Sequence, residues 1–255
     1  MSEPNEEAVL IERRGKVLII TLNRPEAMNA INGALSSGLS KAIEELDNDD
    51  SLTSGVLTGS GRAFCAGMDL KAFARGEDMS GGTNFIKDGS KKPLIAAIEG
   101  FAVAGGCELA MTCDLLVASN NAQIGLREVK VGLFAAGGGL MRLGARVGYT
   151  KALEMALTGE SIGAEQALQA GLLSEITEPG GALDAAIAWA ERIAQNAPLA
   201  VAASKALVRA AAQGNDEQTL WKMQQPLFEK VFTSNDAKEG PAAFAEKREP
   251  NWTGS

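Results

Sequence analysis

Over roughly the first 144 residues, short runs of Val, Ile and Leu alternate with segments of helical pattern, and this alternation restricts the chain to the α/β class. Residues 17–22 (VLIITL) read as a strand, stopped by Asn23, Arg24 and Pro25. Residues 31–46 set Ile31, Leu35, Leu39, Ile43 and Leu46 on one helical face. Residues 55–58, 94–98 and 114–118 are further strands, and residues 105–113 fit a helix that opens on glycines. Beyond Gly144 the chain turns Ala-rich and helical. Helices are predicted over 149–157, 164–170 (with Gly171 as its stop), 182–195, 199–212 and 219–232, with a last strand over 172–176. A junction near Asn196 divides a core, residues 1–196, from a C-terminal helical region, residues 197–255.

The residues the chain lacks narrow its chemistry. It has no histidine, which excludes Ser-His-Asp and Cys-His mechanisms and every His-ligated metal site. Acid–base work near neutral pH therefore falls to a carboxylate of raised pKa, a lysine or a thiol. No clustered carboxylate spacing suggests a metal, so none is expected. Cys65, Cys107 and Cys113 are an odd set without a repeating pattern, and they read as reduced, partly buried side chains. The net charge of −8 opposes the phosphate neutralisation that nucleic-acid binding needs. An anionic small molecule stays compatible, because helix N-termini can hold it. No apolar run reaches the ~20 residues of a membrane span, and the acidic, polar residues 1–7 lack the order of a signal peptide. A cytoplasmic protein without membrane contact is expected.

Two segments repeat one pattern. Residues 62–71 (RAFCAGMDLK) and 100–109 (GFAVAGGCEL) each run from a strand through a tight Gly turn into a helix. Such a turn leaves backbone N–H groups pointing outward. Two of them side by side would aim two donors at one oxygen, as stabilising an enolate requires. A phosphate loop fails on detail, since no G-x-G-x-x-G follows the first strand and no G-x-x-x-x-G-K-[ST] occurs. Gly137, Gly138 and Gly139 precede another helix start. Glu108 lies beside Leu109, Ala110 and Met111, which read as buried, and a buried carboxylate has its pKa raised by desolvation.

These residues resemble the enoyl-CoA hydratase/isomerase (crotonase) family. Residues 20–25 (ITLNRP) followed by Met28, Asn29 and Ala30 resemble the family's opening. Residues 64–70 (FCAGMDL) and 104–110 (AGGCELA), the latter followed by Cys113 and Asp114, resemble its two oxyanion-hole segments. Residues 127–132, Gly138 and Gly139, 157–159 (LTG) and 167–172 (ALQAGL) continue in register, so the resemblance runs over roughly residues 8–250. It implies a spiral of repeated ββα units followed by helices that mediate trimer contacts, with a trimer or a dimer of trimers (a hexamer) as the assembly. The implied substrate is an acyl-CoA thioester, CoA being part of it and no separate cofactor being needed. By motif position the backbone N–H groups of Met68 and Gly105 hold the thioester oxygen. Glu108 and Glu128 fall where hydratases carry their catalytic glutamates, and Ala27, Met28, Ala66, Asp69 and Leu70 match CoA-contacting positions.

The implied reaction is hydration of a 2-enoyl-CoA to a 3-hydroxyacyl-CoA, as in β-oxidation of fatty acids, with Glu108 mainly the base on water and Glu128 mainly the acid at C2. The chain departs from many hydratases in three places. It has no proline in residues 133–137, Arg127 stands where a proline is common before the second glutamate, and the acyl-pocket segment between Lys71 and Pro93 is short. Double-bond isomerisation and carnitinyl-CoA-type dehydration are the alternatives on the same scaffold. A non-catalytic acyl-CoA-binding protein is the alternative of another class. In the C-terminal region, Lys205 and Arg209 are expected to face water, and Trp221, Phe228 and Phe232 to pack along a helix.

Overall fold

Residues 7–255 are described by the structure, a computed structural model; the acidic opening stretch lies, but for Glu7, outside them. An antiparallel pair, β1 (Val9–Arg14) and β2 (Val17–Leu22), leads through a 3-10 turn at Pro25–Ala27 into α1 (Gly33–Asn48). Strands then come in pairs. β3 (Ser54–Gly59) is followed by β4 (Ala63–Cys65) and two short helices, α2 (Leu70–Ala74) and α3 (Thr83–Asp88). β5 (Leu94–Ile98) is followed by β6 (Phe101–Val103) and α4 (Gly105–Thr112). β7 (Leu115–Ser119) is followed by β8 (Gln123–Gly125), a 3-10 turn at Glu128–Val131, α5 (Gly139–Val147) and α6 (Tyr149–Thr158). Then come β9 (Ile162–Gly163), α7 (Ala164–Gln169), β10 (Glu175–Thr177) and α8 (Ala182–Ala194).

The first strand of each pair enters a six-stranded sheet of order β1-β2-β3-β5-β7-β10, parallel from β2 onward. The second enters a four-stranded sheet of order β4-β6-β8-β9, in which β4, β6 and β8 are parallel. Each turn of the chain thus adds one strand to each sheet, which is the expected spiral of ββα units.

Both faces of the central strands β2, β3, β5 and β7 are buried, so these strands read as nearly continuous apolar runs. Successive side chains point to opposite faces. Leu18, Ile20 and Leu22 of β2 face the main core with Leu94, Ala96 and Ile98 of β5. Val17, Ile19, Val56, Ile95 and Val117 face the other way, under Ala182, Ala186, Ile187 and Ala190 of α8. The main core is filled from α1 by Leu35, Leu39, Ile43 and Leu46, the stripe read from the sequence. Asn32 caps that helix, accepting from the Leu35 N–H at 3.0 Å.

One close approach ties the two sheets' connections together. A Cβ on Gly106, in the first turn of α4, would lie 2.1 Å from the Cys65 carbonyl oxygen at the end of β4. Only a residue without a side chain lets α4 cross there.

The structure corrects three expectations. The strand predicted over 172–176 is confined to Glu175–Thr177. Gly171 ends α7 in the left-handed region (φ +79°), and the Leu172 N–H returns to the Ala167 carbonyl at 2.9 Å. Leu172 and Leu173 are thereby buried as part of a helix stop. The second concerns Lys205, on α9 (Pro198–Ala212), which does not face water. Its Nζ donates to Asp114 Oδ2 and to the Lys92 carbonyl, both at 2.7 Å, with only 12% of the side chain exposed. The basic end of Lys205 docks α9 onto the core, because Asp114 also accepts from the Leu94 N–H at 2.8 Å. The third concerns α10 (Glu217–Phe232), which has no buried residue. Trp221, Phe228 and Phe232 stay exposed, with the Phe228 and Phe232 rings stacked at 4.2 Å. The last helix, α11 (Asn235–Glu246), carries Phe244 at 88% exposure. Among the described residues no helix is long and apolar enough to cross a membrane.

Gly106→Ala is expected to lower stability by about 3 kcal/mol, because backbone rather than a flexible side chain must give way. Urea unfolding of the two proteins checks this, and a wild-type midpoint would show that α4 can shift away from β4.

Candidate active site

The turns that follow β4, β6 and β8 leave the small sheet at the same edge, because those strands are parallel neighbours, ~4.8 Å apart. The chain therefore presents Gly67 and Met68, then Ala104 and Gly105, then Arg127 and Glu128, along one rim. The first two turns touch. A Cβ on Gly67 (φ +96°) would lie 2.8 Å from the Ala104 Cβ and 3.1 Å from the Gly105 nitrogen. A Cβ on Gly105 would lie 3.6 Å from the Met68 nitrogen. The N–H groups of Met68 and Gly105 are thus neighbours, and neither donates to an acceptor among the described residues.

Rigid contacts hold this arrangement. Ile31 and Met68 form a parallel bridge, with the Ile31 N–H on the Gly67 carbonyl at 2.7 Å and the Asp69 N–H on the Ile31 carbonyl at 2.9 Å. Ala104 takes φ 51° and ψ −129°, a region costly to any residue with a Cβ, and its N–H is fastened to the Gly125 carbonyl at 2.8 Å. Backbone strain of this kind, of order 1–3 kcal/mol, is retained where it aims a group, and here it aims the Gly105 N–H.

Asn29 is the residue the motif reading left without a role. It is fully buried at φ 55°. Its Nδ2 donates to the Ser60 and Ala63 carbonyls at 2.9 and 2.7 Å, and its Oδ1 accepts from the Arg24 N–H at 2.8 Å. It pins the loop before α1 to the β3–β4 connection. The residues matched to CoA contacts lie along that loop and the next. Ala27 ends the 3-10 turn, and the Met28 carbonyl accepts from the Ala66 N–H at 3.0 Å. Asp69 caps α2 and pairs with Arg24 at 3.1 Å, so its carboxylate is occupied, while Leu70 is half exposed. Together Ala27, Met28, Ala66 and Asp69 line one continuous strip of backbone beside the two N–H donors.

Glu108 sits one helical turn after Gly105 and on the same face of α4. It is 6% exposed, and its Oε1 accepts from the Gly139 N–H at 2.9 Å. Burial pushes its carboxyl above the ordinary value. The Gly139 N–H opposes this, the Glu128 charge adds to it, and the Gly137 N–H and the Arg142 guanidinium oppose it more weakly. Burial also pushes Glu128 up, opposed only by its own backbone N–H. Glu128 Oε2 is enclosed by the protein and meets no donor among the described residues. The structure thus brings Glu108 and Glu128 into one electrostatic unit, with unlike surroundings. Burial disfavours the carboxylate form at both, and at Glu108 hydrogen bonds from Gly139 and Gly137 offset part of that. Arg127, at the usual proline position, places its guanidinium 5.9 Å over the Phe101 ring and donates to Ser161 Oγ at 2.9 Å.

A cleft of about 590 Å³ lies elsewhere, between α1, α3 and α9, and none of these site residues lines it.

The enoyl-CoA hydratase/isomerase family model matches residues 12–255. The chain is 41% identical over 258 residues to "Enoyl-CoA hydratase EchA19" of Mycobacterium tuberculosis (strain ATCC 25618 / H37Rv), covering 95% of each protein. It is 38% identical over 253 residues to "2,3-dehydroadipyl-CoA hydratase" of Escherichia coli (strain K12), covering 96% of this chain and 98% of that one. It superposes on a crystal structure of enoyl-CoA hydratase from Mycobacterium tuberculosis H37Rv with a TM-score of 0.94 at 52% identity, over 98% of this chain and 100% of that one.

The raised pKa of Glu128 has a consequence for stability. The folded chain favours the neutral carboxyl, so this contribution is full below the ordinary glutamate value and lost as pH rises through the raised one. Glu128→Gln is therefore expected to melt above the wild type at pH 8, with the gap narrowing as pH falls toward 5.5. Thermal melts across that range check it, and a lower Tm at pH 8 would show that the carboxylate is held by stabilising contacts.

Proposed function

Because this chain belongs to the enoyl-CoA hydratase/isomerase family, we propose that Glu108 and Glu128 are the groups with which it adds water across the 2,3 double bond of an enoyl-CoA thioester. The chain is an enoyl-CoA hydratase, and its product is the 3-hydroxyacyl-CoA. The observation that carries the residue assignment is the difference between the two carboxyls. One is anchored by a backbone N–H, and the other has a buried oxygen without a donor.

The Met68 and Gly105 N–H groups receive the thioester carbonyl oxygen and draw electron density from C3. Glu108, whose carboxylate form is favoured by the Gly139 N–H, takes a proton from water as the water oxygen bonds to C3. The electron pair of the 2,3 double bond moves onto the enolate, whose negative oxygen the two N–H groups hold. Glu128, the carboxyl with least support for its charge, delivers its proton to C2, and the carbonyl re-forms. Two carboxyls this close do not both ionise readily, so one shared proton matches the starting state, and their titration belongs to the pair. A one-carboxylate isomerisation would leave the half-buried second glutamate without use.

Trimeric assembly through the region 197–255 is part of this proposal. It is supported by the apolar side chains that α10 and α11 leave exposed, Trp221, Phe228, Phe232 and Phe244 among them. Action in the cytoplasm is supported by three buried cysteines, none of them in a disulfide.

Purified protein is expected to remove the conjugated enoyl-thioester absorbance of crotonyl-CoA. Glu108→Gln and Glu128→Gln are each expected to slow this by about 10²- to 10⁴-fold while remaining folded. Near-normal turnover in either variant would remove that residue from the mechanism. Sedimentation is expected to give three or six times the chain mass. A monomer at micromolar concentration would refute the assembly.

A further inference from the structure

Three consecutive glycines, Gly137, Gly138 and Gly139, are wedged between two charged side chains. On one side is Glu108. A Cβ on Gly137 would lie 2.8 Å from Glu108 Oε2, and one on Gly139 would lie 2.8 Å from Glu108 Cγ. On the other side is Arg142, one turn along α5. A Cβ on Gly138 (φ +85°) would lie 2.6 Å from Arg142 Nη1. A charged side chain is therefore pressed against each glycine.

Arg142 uses its fork on main-chain carbonyls alone. Nη1 donates to the Gly137 carbonyl at 3.0 Å, and Nη2 donates to the Ile86 carbonyl at 2.5 Å and to the Lys87 carbonyl at 3.3 Å. Ile86 and Lys87 stand in the last turn of α3, where helix carbonyls lack intrahelical partners. One planar cation thus fastens the end of α3 to the glycine turn whose N–H holds Glu108. Arg142 is half-buried and pairs with no carboxylate among the described residues. The carboxylate whose field reaches it is Glu108.

We propose that Arg142 is a positioning residue for Glu108: it clamps the 137–139 turn to the end of α3, so that the Gly139 N–H stays on the Glu108 carboxylate. The proposal rests on the assignment of Glu108 as the base. The charged groups facing Glu108 are Glu128, from the turn after β8, and Arg142 itself. Those facing Arg142 are Arg146 on its own helix, Arg209 from α9 and Glu108. Cys107 and Cys113 are fully buried, and their thiols are pushed far up, so both stay neutral. Lys87 and Asp88, at the end of α3, point to solvent.

The test compares Arg142→Gln and Arg142→Lys with the wild type in crotonyl-CoA hydration between pH 5.5 and 9.5. Loss of the clamp frees the Gly139 N–H, so Arg142→Gln is expected to lower kcat by about 10²-fold with little change in KM. The acid limb of kcat/KM is expected to move up by about one pH unit, because a hydrogen bond and a cation that favour the carboxylate are both lost. Arg142→Lys keeps the charge but cannot span both segments, so kcat should fall with a smaller shift of the limb. A purely structural role would lower Tm and leave kcat and the limb in place in the folded variants, and that result overturns the proposal. If Arg142→Gln does not fold, Arg142→Lys decides alone, wild-type kcat counting against the clamp. Combining Arg142→Gln, or Arg142→Lys in its place, with Glu108→Gln should slow residual hydration no further than Glu108→Gln alone, and additive losses overturn the proposal. Full hydration by Glu108→Gln would instead defeat the assignment of the base. Loss in Glu108→Gln with wild-type behaviour of both Arg142 variants would defeat the clamp only.

Discussion

The parallel pairing of β4, β6 and β8 is the constraint from which the rest of the site follows. Parallel strands all point their C-terminal ends the same way, and the turns that follow them must share one edge. Residues about forty and sixty positions apart along the chain are thereby set beside one another. The large sheet serves this arrangement. Its central strands, buried on both faces by the main core and by α8, space the successive turns of the spiral. Close packing at Gly106 and Gly67 then brings the β4 and β6 turns together and sets the Met68 and Gly105 nitrogens beside one another.

Electrostatics act within that frame. Burial makes both carboxyls resist ionisation, and the Glu128 charge strengthens the resistance at Glu108. What separates their surroundings is local hydrogen bonding. Glu108 receives an N–H from the first residue of α5, and Glu128 receives none from elsewhere in the fold. Burial is the largest cause of the rise at both, so donor placement is what sets the two carboxyls apart. The contacts extend outward from Glu108 through the glycine triplet to Arg142, which donates to the carbonyls at the end of α3.

The C-terminal helices follow a different rule. α9 is held to the core by the half-buried pair of Lys205 and Asp114. α10 buries none of its own residues and leaves large aromatic side chains uncovered. Helical spacing in this region places aromatic side chains on a face that the described residues leave uncovered. Lys205 carries the same lesson at one residue. A lysine on an amphipathic Ala-rich helix ordinarily points outward, and only the approach of Asp114 from the β7 side turns it in.

The sequence by itself determined the α/β class, the helical stripe of α1 and the central strands, because the periods of 3.6 and 2 are local properties. The absence of histidine confined the chemistry to carboxylates, thiols or lysines, and ordered motifs pointed to Glu108, Glu128 and the two glycine turns. Tertiary structure alone decided the remainder. Strands of two or three residues, such as β4, β6, β8 and β9, are too short to carry a period, and they exist because neighbouring strands complete their hydrogen bonds. Residues 172–173 have the composition of a strand, but a helix stop claimed them. Gly137, Gly138 and Gly139 read as the lead-in to a helix, and only the fold sets Glu108 and Arg142 against them from opposite sides. Burial, donor geometry and the pairing of distant charges arise only when separate segments meet, so no local pattern could have announced them.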